Sequence, residues 1–83
     1  MTLTVARKAC PGWKIFRAEW GPPYYQYKAV RRWASRLDSW YDTIQVDFTR
    51  PSQASIALEK LVAMVGAVIT AEAAPAWPEE GDP

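Results

Sequence analysis

The 83-residue sequence predicts an α+β fold, a small three-stranded antiparallel meander packed against one C-terminal amphipathic helix. Three observations predict it. Residues 52–74, SQASIALEKLVAMVGAVITAEAA, place Ala54, Ala57, Leu58, Leu61, Val62, Met64, Val65, Val68 and Ile69 on one arc of about 160° at helical spacing. Residues 43–49, TIQVDFT, alternate strictly, with Ile44, Val46 and Phe48 on one face. Residues 24–33, YYQYKAVRRW, also alternate and are rich in the aromatic types that favour strands. The helical stripe has to be buried, and the strands before it supply the surface.

The elements follow in order. Residues 1–12 show a short apolar and basic pattern with no helix cap and no regular period, and read as an N-terminal arm that is either flexible or an extra edge strand. Pro11-Gly12 punctuates the chain, and 13–20, WKIFRAEW, is the first strand. Its alternation puts Trp13, Ile15, Arg17 and Glu19 on one face and Lys14, Phe16, Ala18 and Trp20 on the other. Neither face is cleanly apolar, so a bulge near Phe16 is expected to turn Ile15 and either Ala18 or Trp20 toward the helix together. Gly21-Pro22-Pro23 ends the strand and reverses the chain.

In the second strand, 24–33, Tyr25, Tyr27, Ala29, Arg31 and Trp33 share one face, and Tyr24, Gln26, Lys28, Val30 and Arg32 the other. A competing template overlaps it: Val30, Trp33, Ala34, Leu37, Trp40 and Tyr41 recur at helical spacing, so an additional short helix at 30–41 is the alternative. Under the strand reading, 34–41 becomes a long connection before the third strand at 43–49. For the final helix, Ser52 after Pro51 is the expected N-cap, with Thr49 as the other candidate. Ile56 is the one apolar residue off the stripe, Glu72 breaks it and Pro75 ends it. The single domain therefore spans 13–74, a length whose stability is marginal. An acidic, Pro-rich tail, PAWPEEGDP, occupies 75–83, with Trp77 as a candidate anchor.

The order of a Gly12-Trp13 strand, a turn, an aromatic and arginine-rich strand at 27–33, and the clean strand leading into the helix at 44–61 resembles the small β-β-β-α proteins encoded by phages and mobile elements. Some anti-CRISPR proteins have a similar build, a short sheet covered by one or two helices. The likeness covers about half the chain and is one of size and layout. It assigns no functional residue. Most proteins of this layout have no assigned activity, and the anti-CRISPR members make inhibition of a host defence one of the functions expected.

Composition narrows the chemistry. The chain has no histidine and a single cysteine, Cys10, which argues against a zinc site and an internal disulfide and leaves Cys10 reading as an ordinary tail thiol. No glycine-rich phosphate loop or CxxC pair is present, and no cofactor is expected. Asp38, Asp42 and Asp47 are the one set of carboxylates that could gather on a divalent cation, and solvated turn acids are the plainer reading. The pattern is that of a protein that is not an enzyme. The N-terminus lacks the apolar core of a signal peptide, and the charge-free run 61–71 is about half a membrane span, so the expectation is a soluble protein of the host cytoplasm with no membrane partner.

Charge divides the chain. Residues 1–36 carry eight cations against Glu19 alone, net +7, and residues 37–83 carry two cations against eight acids, net −6. The halves can neutralise each other in the fold, or the basic half can meet an anionic partner. The candidate partner-binding residues are Arg17, Trp20, Tyr25, Tyr27, Lys28, Arg31, Arg32, Arg36 and Trp40, with Trp33 among them in sequence. Trp, Tyr and Arg dominate interface hot spots because each buries a large area and keeps a polar contact. Of the five tryptophans, Trp13 and Trp33 are expected in the core. The leading expectation is a binding protein that occludes a protein partner, which could belong to a nucleoprotein complex. The alternatives are a single-strand nucleic-acid module using the aromatic and arginine face, and a homo-oligomeric accessory protein.

Overall fold

The computed structural model describes residues 1–19 and 24–73. Trp20, the 21–23 reversal, Trp77 and the acidic tail lie outside the described residues. The elements run α1 (Leu3–Ala9), β1 (Lys14–Glu19), β2 (Tyr25–Ala34), β3 (Ser39–Phe48), a 3₁₀ turn (Pro51–Gln53) and α2 (Ala54–Ala73). The strands form one antiparallel sheet in the order β1-β2-β3, with α2 along β2 and β3, and α1 against β1 and α2. The α+β meander is the predicted one. α1 is an addition to it.

Residues 3–9 form a helix where an arm or edge strand was expected. Thr2 supplies the cap the sequence reading missed: its Oγ1 accepts the backbone N–H of Val5 at 3.2 Å, and Arg7 and Lys8 in the last turn suit the negative end of the helix dipole. Ala6 and Cys10 are buried by the packing of α1, so Cys10 is a core residue and not a tail thiol. Burial pushes its thiol pKa up. Arg7 Nε donates to the carbonyl of Ile15 at 3.0 Å, which sets α1 against the edge strand β1. Gly12 lies between them at φ +86, a backbone conformation that favours glycine.

The β1–β2 ladder pairs every residue from Lys14↔Val30 to Glu19↔Tyr25, so the bulge expected near Phe16 is not formed. Strict alternation holds instead. It sends Trp13 and Ile15 inward with Tyr27, Ala29, Ile44, Val46 and Phe48, and leaves Phe16 half-buried on the other side. Arg17, on the inward side, lies over the ring of Tyr25 at 5.0 Å.

Residues 30–41 resolve as strand, turn, strand. β2 and β3 stay paired as far as Trp33↔Trp40 and Ala34↔Ser39, so a tight four-residue turn, 35–38, replaces both the alternative helix and the long connection. The Ser35 hydroxyl fixes this turn by accepting the N–H of Asp38 at 3.1 Å, and the Ser35 N–H donates to the Asp38 carbonyl at 2.7 Å. Cross-strand pairs outweigh the helical spacing.

α2 buries Ala57, Leu58, Leu61 and Val65 on the sheet, four residues of the predicted stripe, and Ile56 is exposed as its off-stripe position requires. Met64 departs from the reading and is exposed. The helix start also differs. Pro51 opens a 3₁₀ turn whose N-cap is Arg50, not Ser52 or Thr49, and Gln53 Oε1 reaches back to accept the N–H groups of Thr49 at 3.2 Å and Arg50 at 3.1 Å. The continuous helical segment Pro51–Ala73 is long and apolar enough to cross a membrane, longer than the charge-free run alone, but here its stripe closes the core of the domain. Ile15, Leu58, Leu61 and Val65 are fully buried, and each contributes roughly 1.5–3 kcal/mol by leaving water.

Candidate functional site

Beyond the last turn of α2 the β2–β3 hairpin continues, and its outer part carries four large apolar side chains that are exposed. Leu37 at the turn is 96 % exposed, Tyr41 62 %, Trp40 49 % and Trp33 39 %. Trp33 is therefore not in the core. Trp33 and Trp40 face each other across the strands and stack at 6.4 Å between centroids with an 18° interplanar angle. Arg36 is exposed in the turn, and Arg32 is exposed on the opposite face of the sheet.

The base of this hairpin is held by Arg31. Its guanidinium lies over the ring of Trp13 at 4.5 Å and over that of Trp33 at 4.4 Å. Nη1 and Nη2 each donate to a carboxylate oxygen of Glu72 at 2.6 Å, and Nε and Nη2 donate to Asp42 Oδ2 at 3.3 and 2.8 Å. Trp33 Nε1 donates to the same Asp42 oxygen at 2.6 Å. The planar fork thus ties β2, β3 and the end of α2 together while packed against two indoles. The indole N–H of Trp33 first, then the Arg31 guanidinium, holds the Asp42 carboxyl below the usual carboxylate range, and Arg31 does the same for Glu72. The two carboxylates push the Arg31 pKa above its ordinary value.

This geometry sorts the residues singled out from sequence. Arg31 is built into the frame, and its exposure is too small for it to lead in binding. Tyr27 is buried and Tyr25 half-buried, and both stack on Phe48 at 5.4 and 5.3 Å. Arg17 sits with Tyr25 at that end of the sheet, far along the strands from the turn. Lys28 lies on the opposite face of the sheet from Tyr27, and Arg32 shares that face. Arg36 and Trp40 lie at the hairpin end, in the turn and on the helix side of β3, whereas Arg32 is near that end on the opposite face. The sequence list omitted Leu37 and Tyr41, whose exposure depends on a tight turn that helical spacing concealed.

The carboxylates do not gather either. Asp42 faces the helix side with Arg31, Asp47 points to the other face by alternation, and Asp38 is in the turn, where its Oδ1 accepts the N–H of Ser39 at 2.8 Å. Among the described residues no group of three or more His, Cys, Asp or Glu is placed to hold a metal ion. The charge division is met in part inside the molecule, since Arg31 pairs with Asp42 and Glu72, and the N-terminal amine lies 3.8 Å from Glu59. Comparison with protein-family models, with curated proteins and with solved structures gives no match.

Proposed function

We propose that this chain is a small, non-catalytic binding protein that docks onto a protein partner through the end of the β2–β3 hairpin. The observation that carries the reading is the joint exposure of Trp33, Leu37 and Trp40 on a hairpin whose base is fixed. Trp33 and Trp40, stacked on each other and with Trp33 donating to Asp42, are held in place before binding and lose little conformational freedom when a partner covers them. Aromatic anchors with flanking arginines are the usual hot-spot chemistry, and here Arg36 is beside Leu37 in the turn. The short four-residue turn lets the end enter a concave surface and block it. Occlusion of this kind needs no catalytic group. It agrees with the anti-defence inhibitors whose layout the sequence resembles.

The test is affinity capture from the native cells with the wild-type chain and the Leu37→Ala/Trp40→Ala variant in parallel. A hot-spot pair is expected to cost about 2–4 kcal/mol of binding, at least about 30-fold in affinity. A protein retained by the wild type should therefore be absent or strongly depleted with the variant. Equal recovery by both would reject the hairpin end as the docking site.

A further inference from the structure

The two edges of the sheet are finished differently. At β1 the outward carbonyl of Ile15 is taken by Arg7 Nε at 3.0 Å, and α1 packs alongside. At β3 no described element pairs with the outer edge. The alternation of the ladder decides which groups are left there. The Ser35 N–H donating to the Asp38 carbonyl makes these two a bonded pair, so bonded pairs recur at every second step as far as Tyr25↔Phe48. Tyr41, Thr43, Gln45 and Asp47 therefore turn their backbone N–H and C=O outward. Edge strands are commonly blunted by lysine, proline or a bulge, and β3 has none of the three. Its inward charge, Asp42, is neutralised by Arg31. The helix layer is open on the same side. Ala57 and Lys60 line a cleft with Val46 and Phe48, Val68 lines another with Ile44, and Met64, between them on this flank of α2, is 42 % exposed.

We propose that β3 pairs antiparallel with β3 of a second copy of this chain, joining two three-stranded sheets into one. Self-complementarity selects the occupant. With a two-fold axis at Ile44, Thr43 faces Gln45 of the other copy and Tyr41 faces its Asp47, so every outward residue is used and about eight backbone hydrogen bonds form. The same register sets Ile44 against Ile44 and Asp42 against Val46, and no aspartate of β3 meets another. The axis stands perpendicular to the sheet, so both α2 helices lie on one face and approach each other with Met64 near the axis. Lys60 makes no ion pair among the described residues. It shares a cleft with Val46, which opposes Asp42 of the other copy, so the pairing brings this cation to an acidic end. Sheet twist splays the helices away from the axis, and Ile56, about two turns from Met64 and about 80° round the helix, stays outside the contact. The ladder ends at Tyr41. Both 35–38 turns remain open and point in opposite directions, so the dimer offers two docking ends, and this contact and the hairpin-end reading can fail separately.

Sedimentation equilibrium on the full chain tests it. The wild type should approach twice the mass of one chain as concentration rises. Gln45→Pro removes an outward N–H and none of the bonds to β2, so it should be monomeric with an unchanged far-ultraviolet circular dichroism spectrum. Met64→Lys, on the exposed flank of α2, should weaken association at least about tenfold without touching the ladder, and it carries the test if the proline disturbs the strand. Leu37→Ala and Ile56→Lys should leave the mass unchanged. A wild type still monomeric at about 1 mM would overturn the proposal. So would a dimer that survives both Gln45→Pro and Met64→Lys, or one that Leu37→Ala dissociates, since the copies would then meet at the hairpin end. A monomeric wild type whose captured protein is lost in Gln45→Pro would give the edge to a strand of a different protein and overturn it likewise.

Discussion

Arg31 on β2 and Glu72 in the last turn of α2 form a two-bond fork, Nη1 to Oε1 and Nη2 to Oε2, each at 2.6 Å. They are 41 residues apart in sequence. The pair closes the open end of the helix against the sheet just where the hairpin leaves it, and the indoles of Trp13 and Trp33 pack on the same guanidinium.

Planarity is what this site uses, so lysine should not substitute. In Arg31→Lys the ammonium can meet one carboxylate but cannot fork to two while lying flat on both rings. Urea unfolding should show a midpoint for Arg31→Lys nearly as low as that of Arg31→Ala. A midpoint equal to wild type would mean that charge alone is sufficient.

The same cluster predicts acid sensitivity. Asp42 and Glu72 have folded-state pKa values below their ordinary ones, so they stabilise the fold fully above the ordinary carboxylate range and lose that contribution as pH falls through the lowered values. Thermal midpoints should be level from about pH 7 to 5 and fall below about pH 4. The fall should be shallower in Asp42→Asn/Glu72→Gln, although that variant starts lower. Raised salt should narrow the difference, since the carboxylates are partly exposed.

Cys10 reports on α1. It is 1 % exposed, and burial raises its thiol pKa, so a thiol reagent should label the native protein far more slowly than the urea-unfolded chain. Thr2→Ala removes the cap of a seven-residue helix at a cost of about 1 kcal/mol and should speed native-state labelling about fivefold. Equal labelling of native and unfolded protein would show that α1 does not cover the thiol.

Leu61 is fully buried between α2 and the sheet. Leu61→Ala should cost about 2–5 kcal/mol, a large share of the stability of so small a domain. Circular dichroism should show partial unfolding at room temperature or a sharply lowered thermal midpoint. A thermal midpoint close to wild type would mean that the helix stripe is not the core.

How far the fold was legible follows from where its information lies. Ile44, Val46 and Phe48, and the stripe through Leu58, Leu61 and Val65, declare their faces locally, and the structure uses them so. Residues 30–41 did not, because Val30, Trp33, Leu37 and Trp40 satisfy a helical period as well as a hairpin. Register with β3, through Arg31↔Asp42 and Trp33↔Trp40, decides between them. α1 was missed because a helix of seven residues is held by packing more than by propensity, though Thr2 was a readable cap. The frame role of Arg31 had a signal too: alternation put it on the face of Tyr27 and Ala29, where a cation needs a partner. That partner, Glu72, is distant in sequence and reads there only as the residue that breaks a stripe.

The most direct test of the hairpin end is photocrosslinking in the native cells from a photoreactive residue at position 37, with position 56 on the exposed side of α2 as the control. Docking through the turn predicts an adduct of defined mass with a second protein from position 37 and none from position 56. No adduct from position 37, equal adducts from both positions, or an adduct only with a second copy of this chain would contradict it.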